Sequence, residues 1–317
     1  MAESYNTLAG LVQLNDKNLA DLNVTDLLDD APLLKVLHAQ PASNGTVHYY
    51  LKQTTASSAA FRDALDAVAK TASADTKVTC TLKIMDASFS TDVALADAYK
   101  GGRDAWLQLE LMRSLKQVFA VAEKQVFYGT GADAKGFAGI IDSSGHDALA
   151  DAMVHNAGGT NASTQTSCFL IRHGMDDVSF ILGNDGKIVV EDEPTIIAKA
   201  GAVLTSSTYP ALYVPVTGYS GLQLGSAYSI ARIANIECNS LTSTSAFDDD
   251  DVAAALSLFP AARQPNVCVM NRNALRLLRQ SRSAYSPTGA PAPIPQEVFG
   301  IPIVVTDQIV STEAVEV

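Results

Sequence analysis

Residues 90–128 constrain the fold more than any other stretch, because they read as one long amphipathic helix. Leu107, Leu111, Leu115, Val118, Ala122 and Val126 follow one another at steps of three or four residues, the spacing that keeps side chains on one helical stripe. Ser90, Thr91 and Asp92 offer capping oxygens and a negative charge at the N-terminal end, where free N–H groups and the helix dipole favour them, and Gly129 and Gly131 stop the helix. No proline interrupts it, so a rod from Val93 to Tyr128 would be roughly 50 Å long. A second apolar band, Trp106, Leu109, Met112 and Phe119, widens the apolar face, and the helix is expected to be covered on two sides. It is a spine.

At 317 residues and 47% apolar content the chain can bury a large core, as one big domain or two ordinary ones. Its formal net charge of −12 argues against nucleic-acid binding through an overall basic surface, since neutralising phosphates needs clustered Lys and Arg. Cys80, Cys168, Cys238 and Cys268 lie far apart without metal-ligand or redox spacing and are expected to be free, buried thiols. The opening residues lack the basic and apolar regions of a secretion signal, and no apolar run is long enough to span a membrane, so a reducing cytoplasm is the expected site of synthesis.

Before the spine, residues 19–37 mix Leu22, Val24, Leu27, Leu28, Leu33, Leu34 and Leu37 with Asp21, Asp26, Asp29 and Asp30, and Pro32 breaks any helix there. Too small to fold alone, this region reads as an arm resting on something else. Residues 46–53 and 76–85 read as strands; in the second, Val78, Cys80, Leu82 and Ile84 alternate with Lys77, Thr79, Thr81 and Lys83. Between them, 56–74 has little to bury beyond Phe61, Leu65 and Val68, so the pair describes a projecting hairpin that needs a neighbour. After the spine, 129–139 is Gly-rich, but Lys135 precedes Gly136 and the loop leaves a helix rather than a strand, so it is read as a turn that docks Phe137 and Ile140 and not as a phosphate loop. Strands are expected at 167–171, 178–182, 187–190, 209–216, 228–236, 267–270 and 301–306, with an amphipathic helix over 272–281. Strands without a regular strand–helix alternation disfavour a nucleotide-binding α/β enzyme.

The chemistry-bearing patterns fail on inspection. Asp248 to Asp251 lack the spacing of a calcium loop and fit a helix N-terminus better. Residues 218–221 fall one short of a nucleophile elbow, and His38, His48, His146, His155 and His173 sit in unrelated contexts. No catalytic, cofactor-binding or metal-ligating residue is assigned, and the chain reads as architecture rather than as an enzyme.

Residues 81–86 leading into the spine, 123–139 (EKQVFYGTGADAKGFAG), 231–236 (ARIANI) and 299–307 (FGIPIVVTD), in that order and spacing, resemble the major capsid proteins of tailed bacteriophages with the Hong Kong 97 (HK-97) shell fold. The resemblance implies an α+β fold with an N-terminal arm at 1–43, an extended hairpin loop at 44–86, a peripheral domain holding the spine and a strand-rich middle at 87–236, an axial domain at 237–300, and a return to the peripheral domain at 301–317. It implies self-assembly, as pentamers and hexamers, into an icosahedral virion shell around double-stranded DNA that is not bound sequence-specifically. A separate scaffolding protein, a portal and a decoration protein are the implied partners; no membrane and no cofactor are. Lys52 lies in a strand rather than at the hairpin tip, so Lys–Asn cross-linking is not expected. The alternatives are the shell of an encapsulin-type nanocompartment and, from another class, a cytosolic hydrolase. Removing residues 1–40, or shortening the hairpin between 54 and 75, is expected to abolish shells while leaving the core folded.

Overall fold

In the computed structural model, which describes residues 8, 12–14, 17–18, 25–55, 57–67, 72–191, 194–200, 208–238, 247–284 and 291–317, the spine is shorter than its periodicity predicts. Residues 89–92 form a strand, 93–98 a short helix, and the long helix runs only from Arg103 to Tyr128. Of the three expected caps, Asp92 alone acts as one, accepting from the Ala94 N–H at 2.8 Å, while Ser90 and Thr91 pair with Tyr213 and Leu212 in a sheet. The break falls at Gly102, whose φ of 84° lies in the left-handed region that a side chain resists. A 26-residue helix is about 39 Å long. Its other end was legible, since Gly129 at φ 50° closes the helix with its N–H on the Gln125 carbonyl.

Numbered along the chain, the strands are β1 (Gln13–Leu14), β2 (Lys17–Asn18), β3 (Ala39–Pro41), β4 (Val47–Thr55), β5 (Ala74–Thr81), β6 (Lys83–Asp86), β7 (Phe89–Asp92), β8 (Val154–Asn156) and β9 (Gln165–Ile171). They continue with β10 (Val178–Leu182), β11 (Lys187–Val190), β12 (Thr195–Ala200), β13 (Thr208–Val214), β14 (Val216–Leu224), β15 (Ile230–Glu237), β16 (Val267–Met270), β17 (Glu297–Val298) and β18 (Ile301–Val305). The helices are α1 (Pro32–Val36), α2 (Val93–Ala98), the spine α3 (Arg103–Tyr128), α4 (Asp249–Ser257) and α5 (Arg272–Ala284).

Two cores share one wall. The six-stranded sheet β17-β18-β16-β9-β15-β8 is covered on both faces, every residue of β9, β15 and β16 being buried. Phe169, Ile171, Ile230, Val267 and Val269 face the spine core, whereas Cys168, Leu170, Ala231, Ile233, Cys268 and Met270 face a second core closed by α4 and α5. This single sheet runs through the sequence positions 236/237 and 300/301, where the sequence suggested domain boundaries. On the far side of the spine core, β14 carries β6 on one edge and β10 and β11 on the other. β10 and β11 lie end to end on it, their registers offset by four residues, because the Gly183–Gly186 turn loops out without reversing the chain. A third sheet, β12-β13-β7, ties the spine's entry to the middle of the chain.

The described part of the expected arm does not await a neighbour. Leu8, Val12, Leu27, Leu28, Ala31, Leu33, Leu34, Leu37 and Ala39 are buried in the spine core, α1 lies on α3, and β1 and β3 pair in parallel with β11 and β10. The acidic Leu-rich pattern is therefore one wetted face and one core face, completed within the chain; Asp21, Leu22 and Val24 lie outside the described residues.

Candidate assembly surfaces

Among the described residues the hairpin β4–β5 is a two-stranded sheet, in one register from Val47 opposite Thr81 to Gln53 opposite Asp75, with a shift before Thr55 opposite Ala74. At about 3.3 Å per residue its nine-residue strand reaches roughly 30 Å from the body. Only its root is fastened. Tyr50 Oη donates to the Leu224 carbonyl at 3.2 Å, the Cys80 thiol points to the Leu222 carbonyl at 3.3 Å, and His48 Nε2 sits 2.8 Å from Gln223 Oε1. The Ser43 N–H donates to His48 Nδ1, so Nε2 carries the proton. Gln40 Nε2 donates to the same Gln223 oxygen and to Ser179 Oγ, each at 2.7 Å.

At Leu82 the second strand changes partner, from β4 to β14, and its side-chain alternation slips with it. Leu82 and Met85 are buried, while Ile84, expected on the inner side, is 66% exposed. Among the described residues beyond the root, Leu51 is mostly exposed, and Phe61 and Leu65 are fully so. Leu65 also holds φ at 75°, a region costly for a branched residue.

Two buried polar knots lie within the body that carries this hairpin. In the first, Glu123 of α3 has no solvent exposure and its carboxylate accepts the N–H groups of Leu33 at 2.9 Å and Leu34 at 3.2 Å, while Thr306 Oγ1 donates to its other oxygen. It supplies from another element the cap that α1 lacks at its own N-terminus. Burial lifts its pKa from 4.5 to about 7, against the opposing pull of those three donors. In the second, the buried guanidinium of Arg232 lies 2.8 Å from Glu316 and 3.4 Å from Glu313. Ser167 Oγ donates to Glu313 at 2.5 Å, and Tyr128 Oη also donates to Glu313 while accepting the Val310 N–H at 3.0 Å. Burial pushes the Glu313 carboxyl up and Arg232 pulls it back; burial and that carboxylate together push the Tyr128 phenol up. Asn235, at φ 58° in the β15 bulge, exchanges hydrogen bonds with the Glu316 backbone at 2.8 and 3.0 Å. The chain's last residues are thus stitched to the spine's end and the central sheet.

Sequence reading missed both knots. The available signals were a carboxylate at Glu123, between Phe119 and Val126 on the apolar stripe, and an arginine between Ala231 and Ile233 in β15. Other residues fall where the sequence suggested. Asp248 caps α4 in a capping box with Asp251, Phe137 and Ile140 dock into the spine core, and the four cysteines are free thiols, three buried and Cys80 partly so. Gly218 to Gly221 lie within β14, where Ser220 is buried in a sheet rather than raised on an elbow. Among the described residues no group of three metal-ligating side chains converges, and no helix is long and apolar enough to cross a membrane.

A family model described as "Major capsid protein GP7" matches residues 16–317. The chain belongs to the major capsid protein GP7 family. This capsid protein forms shells and is a structural protein rather than an enzyme. Its α+β fold is the Hong Kong 97 shell fold: a chain from the structure of bacteriophage Epsilon15 superposes with a TM-score of 0.61 at 18% identity, over 88% of this chain and 87% of that one. A chain of the bacteriophage JBD30 capsid gives 0.52 at 11% identity, over 90% and 93%. Curated proteins yield no sequence match to this capsid protein.

Proposed function

We propose that this capsid protein builds a closed icosahedral shell of pentamers and hexamers around double-stranded DNA, with hairpin 44–86 as the element that joins neighbouring copies. The observation that carries this reading is a two-stranded arm fastened only at its root, with Leu51, Phe61 and Leu65 left in water. A lone hairpin is marginal in water, and fully exposed large apolar side chains at its end are explained by a surface that covers them. The spine and the strand-rich middle serve as the peripheral domain. The second core, with α4 and α5, serves as the axial domain, and 25–43 as a segment bound to its own spine rather than an arm on a neighbour. A separate scaffolding protein and a portal complete assembly in the host cytoplasm. The −12 charge suits a container from which DNA must later slide out.

Particle mass and negative-stain images of the purified protein, alone and with a scaffolding protein, test this reading. Replacing residues 56–73 by a short Gly-Ser turn should abolish megadalton shells and leave circular dichroism and the unfolding midpoint of the capsomer unchanged. Normal shells from that variant would overturn the role given to the hairpin. DNA in purified native particles, as against enclosed protein cargo, separates a virion from a nanocompartment.

A further inference from the structure

Beneath the hairpin root lies a cavity of about 340 Å³, bounded by Tyr50, Lys52 and residues 78–81 on one side and by 137–138, 143–146, Leu222, Leu224 and 226–227 on the other. That volume is within the range of small-ligand sites. Its chemistry is divided. Phe137, Val78, Leu222 and Leu224 make apolar walls, and Lys52, His146, Ser144 and Thr79 bring donors to the same space, whereas the Ser143 hydroxyl donates to the Gly139 carbonyl at 3.1 Å. Lys52 is half-buried and no described carboxylate pairs with it. His146 is 1% exposed, yet its Nδ1 has no hydrogen-bond partner, an uncommon state for a buried polar atom.

We propose that this cavity binds a single carboxylate group, presented on a short aliphatic stem such as the side chain of Asp or Glu in an extended peptide. One ammonium matches one negative charge, the neutral imidazole and the hydroxyls supply hydrogen bonds, and the apolar walls accept the stem, which a phosphodiester lacks. Burial, with help from Lys52 and Arg232 and against Asp151, holds His146 down at about 4, so at neutral pH its ring is an uncharged donor. Lys52 supplies the charge. The inference concerns a pocket complete within one chain and stands whether or not the hairpin joins copies in the shell.

The test uses the full-length capsomer with isotope-labelled histidine, titrated with N-acetyl-aspartate amide and, separately, with inorganic phosphate at constant ionic strength. Saturable binding of the blocked aspartate that raises the His146 pKa is the expected result. Lys52→Gln, a change in the hairpin strand and outside both cores, should weaken it at least about tenfold, the worth of one charge-assisted contact. Three outcomes would overturn the proposal: no saturable response at His146, equal affinity in Lys52→Gln, or tighter binding of phosphate than of the blocked aspartate.

Discussion

Burial lifts the Glu123 carboxyl to a pKa of about 7, so its protonation state bears on the stability of the folded body. Its folded value of about 7 lies above the unfolded 4.5, so the folded chain binds that proton more tightly. The resulting stabilisation is complete below pH 4.5 and is lost as the pH rises through 7, a span worth about 3 kcal/mol at most. Urea unfolding of the capsomer at pH 5 and pH 8 should show the loss at the higher pH, and Glu123→Gln should flatten it. Glu123→Ala leaves the Leu33 and Leu34 N–H groups buried without an acceptor and should cost about 3 kcal/mol at pH 5, and less at pH 8, where the parent chain has already lost its proton-linked stabilisation. Arg232 is a second sensitive point. Arg232→Met strands Glu313 in the sheet and should cost about 3–5 kcal/mol by the same measurement, with much of the loss recovered in Arg232→Met/Glu313→Gln.

At the scale of elements, the spine shows what periodicity can and cannot tell. The stripe from Leu107 to Val126 packs as its spacing requires, because burial rewards each of those positions. The start of the helix was misplaced because residues 90–92 satisfy helix-cap chemistry and strand pairing equally well, and the partner that decides between them, β13, lies 120 residues on. Gly102→Ala should destabilise the capsomer by about 1 kcal/mol, since only glycine adopts its φ freely, as thermal unfolding would show. The expectations for the two deletions now part. The described residues between 54 and 75 are all exposed, so shortening the hairpin there removes none of the described core. Deleting 1–40 strips Leu27, Leu28, Leu33, Leu34, Leu37 and Ala39 from beneath the spine, and should yield an aggregated or protease-sensitive product in limited proteolysis rather than a folded capsomer.

For the whole molecule, the shared six-stranded sheet makes the spine core and the α4–α5 core one mechanical body, stitched at the C-terminal end by Glu313 and Glu316. Truncation after Val310 should therefore lower the unfolding midpoint of both cores together, a single transition at lower temperature by calorimetry, because it leaves Arg232 buried without either carboxylate. The amino-acid sequence by itself determined the spine's apolar stripe, the glycine that ends it, the projecting hairpin with its bare tip, the capped acid run before α4 and most strand positions. All of these depend on local periodicity or on residues a few places apart. The tertiary structure alone decided that 25–43 closes its own core, that β10 and β11 share an edge of β14, that one sheet serves two cores, and that Glu123 and Arg232 are buried knots. Each of these turns on which distant segment supplies the partner for a strand edge or a buried charge, and neither propensity nor spacing along the chain carries that information.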